Sequence, residues 1–269
     1  MRHPSKILIY LSVVIALLSI IASLLGIFNP LTYSRETVEW ARQGVGQDIG
    51  NLIAVTVFVI CLYILYRKKS IAAYVMWIGT LLYFIYAYVI YAFFIHFNYL
   101  FLVYVAVLGL SFYTLIGGIL TQDLSRLIAP ISGKSMKTAS SLLVAIGVLF
   151  ALLWLSEIIP ALLSGQVPTS ITDAGMWVNP VHVIDLSIVL PGMILTGLLL
   201  RKKQLYGYVF AGPWLMFSVL MGSSIIVTLL IELAIGNAAA TVPLLIVSII
   251  VLLSAIVLYT FLSKSNRQR

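Results

Sequence analysis

Cysteine is almost absent from this chain, because Cys61 is the only one among its 269 residues. A single thiol supplies neither a disulfide framework, nor a CxxC redox pair, nor a thiolate metal cluster. The sequence also lacks a P-loop, a glycine-rich dinucleotide fingerprint and an H-E-x-x-H zinc motif. Thiol chemistry and the functions that these motifs mark are therefore not predicted.

Charge and histidine are scarce as well. Only 9% of the residues are charged, and only three are histidine. No lysine lies at predicted mid-membrane depth, which excludes a retinal Schiff base. Because His3 belongs to the N-terminal tail, the histidines cannot supply two bis-histidine haem sites, and nothing supports a single haem between His96 and His182.

Apolar residues, in contrast, make up 62% of the chain, and the mean hydropathy is +1.13. A helix needs about 20 mainly apolar residues to cross a bilayer. We therefore predict an all-α, polytopic transmembrane helix bundle that contacts the lipid bilayer and has no separate soluble domain. The apolar runs predict eight helices, at residues 7–28, 49–66, 71–95, 99–121, 139–164, 181–200, 206–235 and 243–263.

The basic residues predict the topology. If the N-terminus is cytoplasmic, every Lys and Arg except Arg35 and Arg42 falls on the cytoplasmic side, which is the positive-inside pattern. The basic residues behind the net charge of +8 then set the orientation of the protein and lie beside anionic lipid headgroups. No nucleic acid is therefore expected as a partner. We predict a multi-pass protein of the plasma (inner) membrane with both termini in the cytoplasm and a first helix that is retained rather than cleaved.

A short internal repeat relates the two halves of the chain. YRKKSIAAYV (66–75) and LRKKQLYGYV (200–209) align without gaps at an offset of 134 residues, and each joins two predicted helices. The repeat predicts two parallel four-helix units, residues 1–134 and 135–269, related by a pseudo-twofold axis along the membrane normal. The alternative is that Arg-Lys-Lys recurs by chance as a stop-transfer signal.

The stretch NPVHVID places a histidine and a carboxylate three residues apart where the sixth predicted helix begins. Because residues three apart share a helix face, His182 and Asp185 are predicted to bind a cation together or to form an oriented general base. Asn179 suits the helix N-cap and Pro180 suits the first helical position. One version of this prediction is a divalent metal ion held by His182, Asp185 and His96. No other cofactor is predicted.

The repeat offset places Asp48 opposite His182 and Asn51 opposite Asp185. Asp48 and Asn51 belong to GQDIGNLI, which opens the second predicted helix, where an aspartate also suits a cap. If the repeat holds, both pairs lie at the outer ends of equivalent helices and converge on a common cleft.

Three more ionisable residues lie within or beside helices on the predicted outer side. Glu157 lies in the fifth helix, about two turns before its outer end. A charged side chain at that depth costs roughly 2.5–3.5 kcal/mol on insertion into the membrane, so it usually faces a cavity or a partner. Glu232 is nearer the interface, and His96 ends the third helix. Each of these two is either a ligand of the same cluster or a solvated helix end.

The third predicted helix is crowded with tyrosines. These are Tyr83, Tyr86, Tyr88 and Tyr91. They either line a passage for an organic substrate or pack inside the bundle and donate hydrogen bonds to a neighbouring helix.

Together these residues predict an outward-facing His/carboxylate cluster that prefers a cation, a proton or a polar organic ligand. The leading hypothesis is a carrier or binder of a small molecule or cation. One alternative is an intramembrane hydrolase or transferase that acts on a lipid-derived ligand through a metal or acid-base site. Another is a non-catalytic accessory subunit that binds a partner membrane protein.

Overall fold

The computed structural model describes residues 5–124 and 133–263. Regular secondary structure in these ranges is entirely helical, and eight helices are long and apolar enough to cross a membrane, which confirms the predicted multi-pass helical architecture. We number these helices α1 to α8. Their bounds are Lys6–Phe28 (α1), Val38–Lys68 (α2), Ile71–Phe94 (α3), Phe101–Leu120 (α4), Gly133–Ser164 (α5), Pro180–Arg201 (α6), Leu205–Ala234 (α7) and Thr241–Ser263 (α8).

Two helices begin six or more residues earlier than predicted, whereas the other six begin within two residues of the prediction. α2 begins at Val38 rather than at residue 49, and α5 begins at Gly133 rather than at residue 139. The side chain of Thr37 caps α2 by accepting the backbone N–H of Trp40. The turns that follow are rich in glycine and charge, so a search for apolar runs passes over them although their backbone is helical. Asp48 therefore lies nearly three turns inside α2, and the prediction that it opens this helix is wrong.

The start of α6 follows the sequence prediction. Asn179 Oδ1 accepts the backbone N–H groups of Val181 and His182, and Pro180 occupies the first helical position. The predicted structural role of Asn179 and Pro180 is confirmed.

Each half of the chain closes into a ring of four helices. In the first ring α1 and α3 each pack on both α2 and α4, and in the second ring α5 and α7 each pack on both α6 and α8. The two rings meet where α7 packs on α2 and α3 and where the start of α6 contacts α3. Both rings thus share one order of packing, while the superposition that the repeat predicts stays a prediction.

α3 is the most interior helix. Within its most apolar 18-residue window 72% of the residues are buried, against 17% in α5 and in α8. It carries several of the largest fully buried side chains, among them Trp77, Tyr83, Phe84 and Tyr88. α5 and α8 instead present much of their surface to the surroundings, as lipid-facing helices do.

Glycines allow α7 to approach the first ring closely. A Cβ atom at Gly46 or Gly50 of α2 would overlap Thr228 or Ser224 of α7, and one at Gly79 of α3 would come within 2.6 Å of Met216 Cβ. Close approach of helix backbones through small residues is a common way to pack helices in membranes. The close contact between the rings therefore depends on glycine at these three positions.

The helix junctions form two ends of different character. The Arg67–Lys69 and Arg201–Lys203 runs share one end, because Val75 at the start of α3 contacts Gly212 near the start of α7. Glu36 and Glu232 lie at the other end, which we call the acidic end. Outside the described residues lie Arg2, His3, Arg126, Arg267, Arg269, Lys264 and the side chain of Lys134. The side of the membrane on which the termini lie stays a prediction.

Candidate functional site

Two separate groups of polar side chains lie within the helix bundle. The aspartate cluster consists of Gln47, Asp48 and Asn51 of α2, Tyr83 and Tyr91 of α3, and Tyr33 of the α1–α2 loop. The histidine cluster consists of Trp154 and Glu157 of α5 and His182 and Asp185 of α6. The sequence predicted one common cleft for residues that the structure distributes between these two clusters.

Asp48 is the centre of the aspartate cluster and is almost completely buried. Its two carboxylate oxygens accept hydrogen bonds from different hydroxyl groups: Oδ2 from Tyr33 at 2.5 Å and Oδ1 from Tyr91 at 2.8 Å. Among residues 5–124 and 133–263 no lysine, arginine or histidine forms an ion pair with it. The carboxyl group is therefore surrounded by neutral donors.

Asn51 extends the cluster by one helical turn. Its Oδ1 accepts hydrogen bonds from the Tyr83 hydroxyl at 3.0 Å and from Gln47 Nε2 at 3.2 Å, while its Nδ2 donates to the Tyr91 hydroxyl at 3.4 Å. Gln47 Oε1 in turn accepts a hydrogen bond from Ser224 of α7 at 2.9 Å. The cluster thus reaches across the contact between the two rings.

A cradle of two glycines seats Tyr33 over Asp48. A Cβ atom at Gly26 of α1 would overlap Asp48 Oδ2 and lie 2.9 Å from the Tyr33 hydroxyl. A Cβ atom at Gly44 of α2 would lie 2.9 Å from the Tyr33 ring. Burial, followed by the neighbouring Asp48 carboxylate, raises the pKa of Tyr33 well above its ordinary value. Tyr33 therefore keeps its hydroxyl proton at neutral pH and donates it to Asp48.

The four tyrosines predicted as candidates on α3 divide between several environments. Tyr83 and Tyr91 donate hydrogen bonds within the aspartate cluster. Tyr88 stacks on Tyr91, with ring centroids 5.4 Å apart, and its buried hydroxyl has no hydrogen-bond partner among the described residues. Tyr86 packs edge-on against Phe217 of α7 and lies near Asp185. α3 therefore carries side chains that approach both clusters.

The histidine cluster is organised around the indole ring of Trp154. Its Nε1 donates to Asp185 Oδ2 at 2.9 Å, and its ring centroid lies 4.8 Å from that of His182. His182 Nε2 lies 3.5 Å from Glu157 Oε2. His182, Asp185 and Glu157 were all predicted as ligand candidates, and the structure brings them together.

The backbone of α6 leaves the α-helical geometry at this cluster. Residues Asp185–Val189 form one turn of π-helix, in which the backbone N–H of Leu190 bonds to the carbonyl of Asp185. Pro191 follows directly and has no N–H to contribute to a regular helix. Single π-helical turns occur frequently at functional sites, because they reposition side chains within an otherwise regular helix.

The histidine cluster leaves polar atoms without partners. His182 Nε2 is buried and has no hydrogen-bond partner among the described residues, because its approach to Glu157 lacks hydrogen-bond geometry. The Glu157 side chain is 32% exposed, whereas the His182 side chain is 7% exposed. Neither carboxylate of the cluster contacts a lysine or an arginine within the described ranges. The cluster therefore combines excess negative charge with an unused nitrogen.

The remaining candidates have partners of their own at the acidic end. His96 Nδ1 lies 2.9 Å from Glu36 Oε2, and the His96 backbone N–H donates to Glu36 Oε1 at 2.7 Å. Glu232 lies 3.9 Å from Arg42 and accepts a hydrogen bond from Asn237. His96 therefore joins the α3–α4 loop to the α1–α2 loop, and Glu232 joins α7 to α2 and to the loop that follows α7. Neither residue contacts the histidine cluster in this structure.

The metal hypothesis finds no preformed ligand set. Within the part of the chain that the structure describes, no three His, Cys, Asp or Glu side chains are arranged to hold a metal ion. His96 contacts Glu36, and Asp185 accepts the Trp154 indole N–H. Of the three residues predicted as metal ligands, only His182 and Asp185 belong to one cluster.

Sequence reasoning missed Tyr33, Gln47 and Trp154 as members of the clusters, and Ser224 as a residue that contacts Gln47. Tyr33 lies in a loop and Ser224 lies in the other half of the chain, so neither is close in sequence to the residues that it contacts. A signal was present for Trp154, because it precedes Glu157 by three residues and therefore shares its helix face.

Comparison with known proteins adds no identity to this geometry. The chain matches no protein-family model, and neither a curated protein nor a solved structure shows significant similarity to it.

Proposed function

We propose that this multi-pass membrane protein is a carrier that binds a small organic cation bearing N–H donors at the histidine cluster. The observation that carries the proposal is the buried His182 Nε2, which lacks a hydrogen-bond partner 3.5 Å from the Glu157 carboxylate. A nitrogen donor that approaches both atoms from the same side would satisfy both of them.

Charge favours a cationic ligand. Glu157 and Asp185 are two carboxylates within helices, and no fixed positive side chain contacts them among the described residues. An uncompensated charge in a membrane helix is costly, so such residues usually face a partner or a water-filled cavity. A bound cation would supply the missing compensation.

The spacing and the aromatic ring favour an organic cation. A nitrogen about 2.8 Å from both His182 Nε2 and Glu157 Oε2 is at the usual length of a charge-assisted hydrogen bond. The Trp154 indole stacks beside His182 and offers a face to a cation, an interaction that contributes about 0.5–2 kcal/mol. Histidine accepts such a bond only as the neutral tautomer with its proton on Nδ1.

Two features support a carrier over the alternatives. Within the described ranges no hydroxyl or thiol group forms a hydrogen bond with His182 Nε2, which leaves a covalent hydrolase or transferase mechanism without a nucleophile at that atom. The two four-helix rings meet through a restricted set of helices, α2, α3, α6 and α7. Rocking of two repeats about a central site is a common transport mechanism, and the predicted parallel repeat would provide such units.

Binding of guanidinium by the purified protein tests the proposal, because guanidinium carries N–H donors and stays charged at every working pH. We expect calorimetry to detect guanidinium binding and to detect weaker binding of tetramethylammonium, which has no N–H group. Glu157→Gln should weaken guanidinium binding by about ten- to a hundredfold, because a hydrogen bond to a charged group contributes about 1.5–3 kcal/mol. Uptake of labelled guanidinium into proteoliposomes then distinguishes a carrier from a binder.

Glu39→Gln provides the matched control, because Glu39 is an exposed carboxylate in the first turn of α2. This variant should bind guanidinium as the parent protein does. Equal affinity of the Glu157→Gln variant and the parent would reject the histidine cluster as the binding site.

An accessory role has one specific observation in its favour. Trp177, in the α5–α6 loop at the acidic end, is 99% exposed, and Leu163 at the end of α5 is 85% exposed. Large exposed apolar side chains mark membrane interfaces and protein contacts. A partner that copurifies at fixed stoichiometry and is lost in Trp177→Ser would favour an accessory subunit over a carrier.

A further inference from the structure

The aspartate cluster holds a fully buried carboxyl group that no cation neutralises. Asp48 is 1% exposed, and each of its two carboxylate oxygens accepts a hydrogen bond from a tyrosine hydroxyl. We propose that Asp48 is a proton-binding site, at which proton uptake switches the hydrogen bond of Tyr91 from Asp48 to the backbone carbonyl of Gly44. The inference concerns a different cluster from the one that binds the proposed cation and does not depend on that ligand.

The groups that surround Asp48 leave the carboxyl as the one readily ionised group of the cluster. The α1–α2 loop contributes Tyr33, α3 contributes Tyr91 and Tyr88, and α4 contributes Tyr104, whose ring centroid lies 5.0 Å from that of Tyr91. α1 faces the cluster with Ser23 and Gly26 and α7 faces it with Ser224, and none of these groups titrates near neutral pH. In water a carboxyl group loses its proton far more easily than a phenol does.

The packing around Asp48 limits the size of the cation that can bind there. None of the side-chain polar atoms of the six aspartate-cluster residues is buried without a partner. Gly26 and Gly44 are already filled by Asp48 and Tyr33, so that even a methyl group on Gly26 would overlap the carboxylate. A proton binds to the carboxyl group itself without displacing any of these neighbours.

The hydrogen bonds of Tyr91 accommodate this proton. Its hydroxyl oxygen lies 2.8 Å from Asp48 Oδ1 and 3.4 Å from the Gly44 carbonyl oxygen. When Asp48 is ionised, the Tyr91 hydroxyl donates to Oδ1. When Oδ1 carries a proton, it donates to the Tyr91 oxygen, and the Tyr91 hydrogen turns to Gly44. In both states each hydroxyl hydrogen has an acceptor, which a buried polar group requires.

A chain of hydrogen bonds connects Asp48 to the second ring. Tyr91 accepts from Asn51 Nδ2, Asn51 Oδ1 accepts from Gln47, and Gln47 accepts from Ser224 of α7. Hydrogen bonds in such chains polarise one another, so a change in the donor role of Tyr91 alters the bonds that follow it. The state of Asp48 therefore bears on the contact between the rings.

Infrared difference spectroscopy of the purified full-length protein, recorded between alkaline and acidic pH, tests the proposal. The probe is the carbonyl stretch of a protonated carboxyl group, assigned to aspartate by isotope labelling of the side-chain carboxyl carbon. We expect a labelled-aspartate band from a buried acid that is lost in Asp48→Asn. The band should remain in Asp173→Asn, which is the matched control because Asp173 is an exposed loop residue.

The Tyr91→Phe variant supplies a second and independent measurement. Removing the hydroxyl removes the hydrogen-bond partner of Oδ1, so the carbonyl band of Asp48 should shift in frequency. Should Asp48→Asn fail to fold, the Tyr91→Phe spectrum decides: a shifted band supports the proposal and an unshifted band overturns it. A band that persists unchanged in folded Asp48→Asn, or the lack of any pH-dependent aspartate band, also overturns it.

Discussion

The two polar clusters use similar residues to opposite effect. In the aspartate cluster every buried side-chain polar atom has a partner, and glycines let the residues pack without space between them. In the histidine cluster the Nε2 atom of His182 has no partner, and Glu157 is about one-third exposed. A cluster whose hydrogen bonds are all satisfied stabilises the fold and can take up little more than a proton. A cluster with an unsatisfied polar atom can form a new hydrogen bond to a ligand.

This difference follows from where the clusters lie. The aspartate cluster is built on α2 and α3, which pack against the second ring through α7. The histidine cluster is built on α6 and on α5, and α5 is among the least buried of the eight helices. Substitutions in the first cluster should therefore change stability, and substitutions in the second should change binding.

Gly26→Ala is expected to have the largest effect, because its Cβ atom would overlap the Asp48 carboxylate and approach Tyr33. Overpacking of this kind lowers the free energy of unfolding by about 1–3 kcal/mol. Thermal melting of the purified protein measures the loss. The control is Gly109→Ala in α4, where a Cβ atom meets nothing within 4 Å and alanine favours the helix by up to about 1 kcal/mol. Equal melting temperatures for the two variants would contradict the close packing around Asp48.

Tyr83→Phe should have an intermediate effect that separates the clusters. The substitution removes the hydroxyl that donates to Asn51 and accepts from Gln47, so the free energy of unfolding should fall by about 1 kcal/mol. Guanidinium affinity should stay unchanged, because the histidine cluster lies elsewhere. Tyr113→Phe, at a tyrosine that is 69% exposed, should change neither property. A Tyr83→Phe protein that loses guanidinium binding at unchanged stability would reverse the roles assigned to the clusters.

Trp154→Phe should have the smallest effect on stability and a measurable effect on binding. Phenylalanine keeps an aromatic ring beside His182 but loses the indole N–H that holds Asp185. Guanidinium binding should weaken by a few-fold, because a phenyl ring attracts a cation less strongly than an indole ring does and because Asp185 loses its donor. Calorimetry measures this change, and Trp177→Phe in the exposed loop is the control. Unchanged affinity in Trp154→Phe would show that neither the indole ring nor its N–H group contributes to the proposed site beyond what a phenyl ring supplies.

The eight helices were predictable because spanning a bilayer requires long apolar runs, which the sequence displays directly. The cap at Asn179 and the proximity of His182 to Asp185 were predictable because both depend on neighbours within one helix. The contact of Glu157 with His182 required only that two consecutive spanning helices pack together.

The remaining features depend on contacts that no local pattern records. The early start of α2 was missed because hydropathy does not register a polar helical turn. Tyr33 reaches Asp48 only because Gly26 of α1 and Gly44 of α2 leave room for it. The π-helical turn at Asp185–Val189, which lies just before Pro191, is not predicted by the spacing of apolar residues along α6.

The position of α3 has a thermodynamic consequence. It carries Tyr83 and Tyr91 into the aspartate cluster and Tyr86 to the neighbourhood of Asp185, so one rigid helix adjoins both clusters. If the two rings have alternative arrangements that move α3, a proton and a cation that each prefer one arrangement are linked. Linkage of this kind is reciprocal: the factor by which the proton changes cation affinity equals the factor by which the cation changes proton affinity. A pH titration of guanidinium affinity would then measure the coupling free energy between the two clusters.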